Sequence, residues 1–265
     1  MTAIDQAFIK AYTQYGVSEA PGVPVAPPLP PSPSAPPADA AEQQPAVEFS
    51  PLLRVDHFTW PSICRRLNEA AAEQLDRLTD ELMDTVDRGQ KVLAIAGCCR
   101  ADGVTTLLQC VGRRMVSRGL KVILVDAHWA NPQLTRRLGV LSDTGWEAVL
   151  DGRLQLEEAV IESTEDRLSV LPLCKSPADS GDEADNQTAL TESIDCLAAH
   201  YDLVLIDVGA MEDPTASGNP LADRLDAVVL VHNLRTTNKD RLVETQSRLA
   251  SVRVPQAGVI ENFAA

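Results

Sequence analysis

The residues best suited to chemistry lie in one loop, Gly97–Thr106, between the apolar segment KVLAIAG and a helical segment. Its spacing follows the phosphate-binding pattern G-x-x-x-x-G-K-[ST], in which backbone N–H groups and a helix N-terminus hold phosphate oxygens. Gly103 and Thr105 occupy their expected positions. Val104 stands in place of the lysine, and Cys98 stands in place of the first glycine. The loop taken alone is therefore weak evidence for phosphate binding.

Two aspartates could hold a divalent cation beside this loop. Asp126 ends the apolar segment KVILVD, and Asp207 ends the apolar segment DLVLID. Carboxylates in these positions are suited to Mg²⁺ or to its bound water. Each aspartate taken alone is also typical of a turn or a helix cap. The prediction of a phosphate and metal site therefore depends on the two aspartates and the loop together.

The order of the elements predicts a fold that brings these loops together. Short continuous apolar segments recur from residue 91 onward, and helical segments such as LTESIDCLAAH separate most of them. This pattern is typical of an α/β domain, in which a parallel β-sheet is flanked by helices on both faces. Ligands of such sheets bind at the carboxyl ends of the strands. We therefore expect one α/β domain over residues 89–265.

The chain before this domain divides into three predicted segments. Residues 17–50 are rich in Pro and Ala and predict a disordered linker. Residues 1–16 predict a short amphipathic helix, which favours a docking segment on a tether, with a frayed terminus as the alternative. Its apolar face consists of Ile4, Phe8, Tyr12 and Tyr15.

Residues 51–88 predict an extended segment and then one helix from about Ser62 to Asp87. Its apolar side chains recur at helical spacing, so the helix either packs on the following domain or pairs with another copy of the chain. The stripe consists of Leu67, Ala71, Leu75, Leu78, Leu82 and Val86.

Composition and charge exclude several classes of function. The chain has 265 residues, of which 45% are hydrophobic, and a formal net charge of -15. This charge argues against nucleic acid and against an anionic membrane surface as partners. No segment approaches the ~20 consecutive apolar residues that a membrane-spanning helix needs, and the six cysteines lack zinc-ligand spacing. We expect a cytoplasmic protein without direct membrane insertion, associated with a membrane only through a partner.

The segments together resemble the bacterial tyrosine kinases of capsule and exopolysaccharide production, within the P-loop proteins that include partitioning and division-site ATPases. Residues 97–140 follow the family's Walker A loop, long helix, Walker A′ strand and proline loop in order, and YDLVLIDVGAMEDP stands at its Walker B strand. TGWEAVLDGRLQLEEAV and AGVIENF are similar to two further family segments. The resemblance covers about two-thirds of the chain. It implies a P-loop NTPase fold of the deviant Walker A type.

The resemblance also implies a role for each candidate site residue, with ATP or ADP and Mg²⁺ as the ligands. Thr105 would hold Mg²⁺, and Asp126 and Asp207 would lie around the metal and the attacking group as the catalytic residues. Asn262 would lie near the adenine. The implied phosphate-binding residues are Cys99, Arg100, Ala101, Asp102, Gly103, Val104, Thr105 and Thr106.

Three positions of the candidate site, Val104, Cys99 and His128, depart from the resemblance. Val104 removes the lysine that neutralises the β- and γ-phosphates, and Cys99 stands where the partitioning ATPases have a second lysine. Arg100 either reaches a phosphate or lies in solvent. His128 stands where the family usually has a second aspartate, and is either a metal ligand or a structural residue.

Two further family features are missing. The ring-forming motif E-x-x-R-x-x-R of the N-terminal helix is replaced by Glu73, Asp76 and Thr79. The tyrosine-rich tail has no counterpart, since the chain's tyrosines are Tyr12, Tyr15 and Tyr201. Tyr12 and Tyr15 are the plausible phosphoacceptors, and their place on an apolar face favours an anchoring role instead.

The sequence therefore predicts a degenerate member of the group, with weak or no ATP binding and turnover. It would act as a cytoplasmic regulator or assembly partner in exopolysaccharide or capsule biosynthesis or export. The first alternative is an active ATP-dependent protein tyrosine kinase of the same pathway, and the second is a partitioning or positioning ATPase. The resemblance implies a separate transmembrane polysaccharide co-polymerase or export protein as the partner, contacted through residues 1–16. A homo-oligomer is a further alternative.

Overall fold

Eight β-strands form one sheet in the computed structural model, which describes residues 49–174, 183–211, 221–251 and 254–262. The strands are β1 (Leu53–Val55), β2 (Val92–Gly97), β3 (Val122–Asp126), β4 (Ile161–Ser163), β5 (Leu168–Leu171), β6 (Leu203–Ala210), β7 (Ala227–Asn233) and β8 (Gln256–Asn262). Their order across the sheet is β1-β4-β5-β3-β6-β2-β7-β8. All neighbouring pairs are parallel except β4 with β5.

The central strands are buried along their whole length, as expected for parallel strands covered on both faces. β2, β3, β6 and β7 contain no exposed residue. Because these strands are parallel, their carboxyl ends meet at one edge of the sheet, where the loop after β2, Asp126 and Asp207 all lie. The predicted α/β architecture is confirmed.

Helices cover both faces of the sheet. On one face, Leu190 and Ile194 of α7 pack against the strands, and on the other, Leu75 and Leu82 of α2 pack together with Leu108 of α3. The helices are α1 (Ser62–Ala70), α2 (Ala72–Asp87), α3 (Val104–Ser117), α4 (Leu134–Arg137), α5 (Trp146–Leu150), α6 (Leu156–Ala159), α7 (Glu183–His200) and α8 (Lys239–Ser251). A single 3-10 turn, Ala222–Arg224, precedes β7.

The helix predicted from about Ser62 to Asp87 is two helices, so that prediction is wrong in its continuity. Ala71 separates α1 from α2 with φ -126° and ψ 34°, outside the helical region. Its N–H still bonds to the carbonyl oxygen of Leu67 at 2.9 Å, so the chain turns without losing that hydrogen bond. The break lets α1 and α2 both pack on α3. The packing interpretation holds within the described chain.

The sheet is not purely parallel, and two of its strands lack a sequence signal. β1 and β4 have three residues each, too few for a visible period. β4 and β5 are joined by residues 164–167 alone, and a parallel crossover needs about a dozen residues or more. The short connection therefore forces an antiparallel pair, with Arg167 at φ 53° in the turn.

The predictions for the N-terminal region fall almost entirely outside the described residues. The helix of residues 1–16, with Ile4, Phe8, Tyr12 and Tyr15, and the linker up to residue 48 stay predictions. The described chain starts at Phe49, which is buried against the rings of His200 and Tyr201.

Candidate functional site

The loop after β2 is a tightly packed strand-to-helix turn, as the sequence predicts. Gly103 directly precedes α3 with φ +96°, a left-handed conformation that glycine adopts readily. A Cβ atom at Gly103 would lie 2.6 Å from Nδ2 of Asn262, and one at Gly97 would lie 2.9 Å from Cγ2 of Val104. The shape of the loop therefore depends on the absence of a side chain at both glycines.

The lysine position of this loop belongs to the apolar core. Val104 is 7% exposed and shares a cluster with Ile95 and Leu108. A hydrocarbon side chain therefore packs where the phosphate-binding pattern requires an ammonium group.

A buried carboxylate braces the same loop from within. Asp102 is 1% exposed. Its Oδ2 accepts the N–H of Cys99 at 2.8 Å, and its Oδ1 accepts the hydroxyl of Thr237 at 3.0 Å. Nδ2 of Asn262 donates to its backbone oxygen at 2.8 Å. Burial raises the pKa of Asp102, while the N–H of Cys99 and the hydroxyl of Thr237 oppose that rise.

Two of the first N–H groups in the loop are consequently engaged within the protein. The N–H of Cys98 bonds to the carbonyl oxygen of Val231 at 3.1 Å, and the N–H of Cys99 bonds to Asp102. A phosphate cradle works by offering such groups to an anion. This loop therefore presents fewer donors than its spacing suggests.

The other predicted phosphate-binding residues lie in the loop and in the first turn of the helix that follows it. Cys99 is half-buried, whereas Arg100 and Ala101 are exposed, and Ala101 has φ 65°. Thr105 and Thr106 lie in the first turn of α3.

Asp126 and Asp207 lie side by side on two adjacent strands. Asp126 is the last residue of β3, as predicted, whereas Asp207 lies within β6, which continues beyond the predicted end to Ala210. They are register partners of β3 and β6, and both are 1% exposed. The oxygens of Asp126 accept the N–H groups of His128 at 3.1 Å and Leu134 at 2.9 Å. Asp207 accepts the N–H of Gly209 at 3.0 Å. The predicted pair is therefore brought together.

Burial and mutual repulsion make this carboxylate pair reluctant to ionise. Burial, and then the negative charge of Asp207, raise the pKa of Asp126 to about 8. Burial also raises the pKa of Asp207, while a hydrogen bond from Thr105 and the positive potential of His128 oppose the rise. A pair of this kind is stabilised by a bound cation.

The residues fit Mg²⁺ by the chemistry of their oxygens. Two carboxylates and the Thr105 hydroxyl are hard donors, and Mg²⁺ commonly uses one or two carboxylates together with substrate phosphates. Among the described residues, no group of three or more His, Cys, Asp or Glu side chains is placed to hold a metal ion. A metal here would therefore depend on water and phosphate for its remaining ligands.

His128 closes one side of the aspartate pair. Its ring lies against Gly209, which has φ +75°, so closely that a Cβ atom at Gly209 would clash with the ring. Its Nε2 is buried without a hydrogen-bond partner. The ring of His128 is therefore held beside the aspartate pair by its packing against Gly209.

Sequence reasoning missed two residues that support the loop. Thr237 lies beyond β7 and donates to Asp102, and its backbone oxygen lies 2.9 Å from Nε2 of His232, which is 1% exposed. His232 and Asn233 are polar residues that end the apolar strand β7 at the same sheet edge. Two polar residues at the end of an apolar strand were the sequence signal that could have indicated this part of the site.

The fold and the site define the class of the protein: a partitioning-ATPase-like P-loop NTPase. Tyrosine-protein kinase YwqD of Bacillus subtilis (strain 168) is 26% identical over 181 residues, 67% of this chain and 74% of its own. The crystal structure of the chimerical protein CapA2B2 matches with a TM-score of 0.67 at 18% identity, covering 80% of this chain and 95% of that one. The VpsO kinase domain matches with a TM-score of 0.63 at 22% identity, covering 77% of this chain and 100% of its own.

The family within this class is shown by the sequence itself. Residues 90–250 match the family described as "Cellulose biosynthesis protein BcsQ", and the chain belongs to it. The predicted resemblance to bacterial tyrosine kinases is confirmed by the relatives named above. None of the helices in the described ranges is long and apolar enough to cross a membrane.

Proposed function

We propose that this protein is a regulator or assembly partner in cellulose biosynthesis that retains the P-loop fold but turns over ATP weakly or not at all. The observation that carries the proposal is Val104, buried at the lysine position. The family description supports the pathway, and the kinase relative supports descent from an ATP-using enzyme.

The charge balance of the loop supports weak binding of a polyphosphate. An active P-loop directs a lysine at the β- and γ-phosphates. Here that cation is absent, and Asp102 adds a buried carboxyl group whose ionised form would repel phosphate. Removing one group that stabilises transition-state charge costs ~10²–10³ in rate. Both changes act in the same direction.

One observation favours the alternative of an active kinase or ATPase. Asp126 and Asp207 remain adjacent and buried. Mg²⁺ bound there would neutralise charge on a phosphoryl group. In this alternative, Arg100, which is exposed on the loop, would take the place of the missing P-loop lysine as the cation of this chain that contacts phosphate.

Calorimetry and turnover measurements separate the two proposals. Titrate the purified chain with ADP and ATP, with and without Mg²⁺, and measure phosphate release and tyrosine phosphorylation. We expect no saturable binding at micromolar nucleotide and no turnover above that of Asp126→Ala. Robust turnover that is lost in Asp126→Ala and in Arg100→Ala would establish the active enzyme instead, with Lys121→Ala, at the amino end of β3 and so at the opposite edge of the sheet, as the control.

The proposed partner is a separate transmembrane protein of polysaccharide synthesis or export, with residues 1–16 as the proposed contact. The apolar residues Ile4 and Phe8 support this proposal, because they would lie on one face of a helix. Deleting residues 1–16 should abolish pull-down of the partner without changing the melting temperature. A large fall in melting temperature would instead make this segment part of the folded core.

A further inference from the structure

Four exposed arginines lie on the neighbouring elements α1, α3 and α4. Cys64 of α1 is fully buried. The hydrogen bond with Cys110, and then the positive charges of Arg113 on α3 and Arg137 on α4, lower its pKa, while burial opposes this. Arg65 and Arg66 directly follow Cys64 on α1 and are exposed. We call Arg65, Arg66, Arg113 and Arg137 the arginine face.

Backbone contacts hold these elements together. The N–H of Thr59 bonds to the carbonyl oxygen of Leu138 at 2.8 Å, which fixes the segment before α1 against the end of α4. Arg113 of α3 stacks on the ring of Trp60, with its Cζ 4.6 Å from the ring centroid. These contacts hold Arg113, and the end of α4 that carries Arg137, beside the segment that leads into α1.

The charges of this face are not neutralised within the described ranges. None of its four arginines forms an ion pair there, whereas Arg114 and Arg118, their neighbours on α3, pair with Asp76 and Asp80 of α2. A cluster of unpaired arginines is unusual in a chain with a net charge of -15. Arginine is the residue that best recognises carboxylates, through paired hydrogen bonds.

We infer that the arginine face binds an acidic segment of a partner protein that also carries apolar side chains. Trp60 is half-buried beneath Arg113, and Ile63 is 40% exposed beside the arginines of α1. Arginine and tryptophan are the residue types that dominate binding energy at protein interfaces. This inference gives a partner class to the regulator proposed above and does not depend on whether nucleotide binds.

Two other occupants fit the observations less well. The net charge of -15 would repel an anionic bilayer as a whole. A second copy of this chain carries the same net charge of -15, so two copies repel each other as whole molecules. A short acidic segment would contact the arginines locally, and salt screens charges that lie farther away than about 8–10 Å.

Fluorescence anisotropy with a defined probe tests the inference. The probe is a labelled synthetic peptide of four Glu-Glu-Leu-Gly repeats, and its neutral counterpart has Gln in place of every Glu. We expect the acidic peptide to bind the full chain at least tenfold more tightly than the neutral one, with affinity falling as salt rises. Equal affinity of the two peptides would overturn the inference.

Charge-reversal variants locate the binding surface. Arg65→Glu/Arg66→Glu should weaken peptide binding at least tenfold, and Arg137→Glu, on a separate element, about threefold or more, since each reversal replaces attraction by repulsion. The matched control, Lys121→Glu/Lys239→Glu, changes charge equally at exposed sites elsewhere and should change affinity less than twofold. If Arg65→Glu/Arg66→Glu has a much lower melting temperature than the wild type, the binding test is made with Arg137→Glu alone.

Three results would contradict the inference: equal losses in the control and the arginine variants, preferential binding of phosphatidylglycerol vesicles, or self-association in sedimentation that depends on these arginines. Mg-ADP titrations of the same variants should match the wild type. Failure of peptide binding would therefore contradict the inference about the arginine face but not the proposed weak nucleotide binding. Tight nucleotide binding would contradict the proposed function but not the inference about the arginine face.

Discussion

Restoring the missing cation is the sharpest test of the proposed nucleotide deficiency. In Val104→Lys, the new ammonium group would start from the first residue of α3, directly after Gly103. A unit charge ~4 Å from a phosphate oxygen contributes ~4 kcal/mol at an effective dielectric of ~20. Ordering a lysine side chain costs up to ~2 kcal/mol. The net gain is ~2 kcal/mol, so the dissociation constant for Mg-ADP should fall about 30-fold.

The same substitution should cost stability. Val104 is 7% exposed and packs with Ile95 and Leu108, and full burial of a valine side chain contributes ~1.5 kcal/mol. We therefore expect a lower melting temperature without nucleotide and a partial recovery with Mg-ADP. Val104→Met is the control, because methionine has a long unbranched chain without the charge. It should show no gain in affinity.

The companion variant Asp102→Asn tests the second half of the charge argument. Removing the carboxylate charge should increase Mg-ADP affinity several-fold on its own, because the repulsion of phosphate is lost, and should add to the effect of Val104→Lys. Isothermal titration of the single and double variants measures both effects. The reasoning fails if folded Val104→Lys binds Mg-ADP no better than wild type, or if wild type already binds at low micromolar concentration.

Three further predictions concern stability. Because the pKa of Asp126 is raised, the folded chain holds an extra proton between about pH 4 and about 8. The unfolding free energy should therefore fall as pH rises through this window. Unfolding free energies from urea titrations at several pH values should fall less steeply with pH when Mg²⁺ is present or in Asp126→Asn. Gly209→Ala should cost more than ~2 kcal/mol, since its φ is +75° and its Cβ would meet His128; equal melting temperatures would contradict this. Arg114→Ala should cost ~1–2 kcal/mol in chemical denaturation, because it removes the ion pair with Asp76 and the hydrogen bond to Asn68 and leaves Asp76 only its longer contact with Arg118. Arg77→Ala, which removes the exposed pair with Glu73, should cost less than ~1 kcal/mol.

The sequence predicted the centre of the fold because buried parallel strands have a strong local signal. KVLAIAG, KVILVD and DLVLID are continuous apolar segments, and each proved to be a fully buried strand. Asp126 and Asp207 could be paired in advance, since the carboxyl ends of parallel strands share one edge. The edge strands could not be predicted, because β1 and β4 are stabilised by neighbours rather than by their own three residues.

The hydrogen bonds that support the loop from within could not be predicted from the sequence either. Asp102 and Thr237 are 135 positions apart, and only the closed sheet brings them to 3.0 Å. Ala71 has no helix-breaking character, so the turn between α1 and α2 follows from packing both helices on α3 rather than from local preference. Pairwise contacts of this kind belong to the tertiary structure and leave no local pattern.

The position of β1 determines how the protein responds to mechanical load. β1 is the outermost strand and is held to the sheet by three register pairs with β4, from Leu53 opposite Ile161 to Val55 opposite Ser163. Tension on the chain upstream of Phe49 would reach this short strand before the interior strands, which have neighbours on both sides. A tether pulling on the N-terminal side would therefore load the buried ring of Phe49 and then β1 before it loads the strands that form the P-loop edge of the sheet.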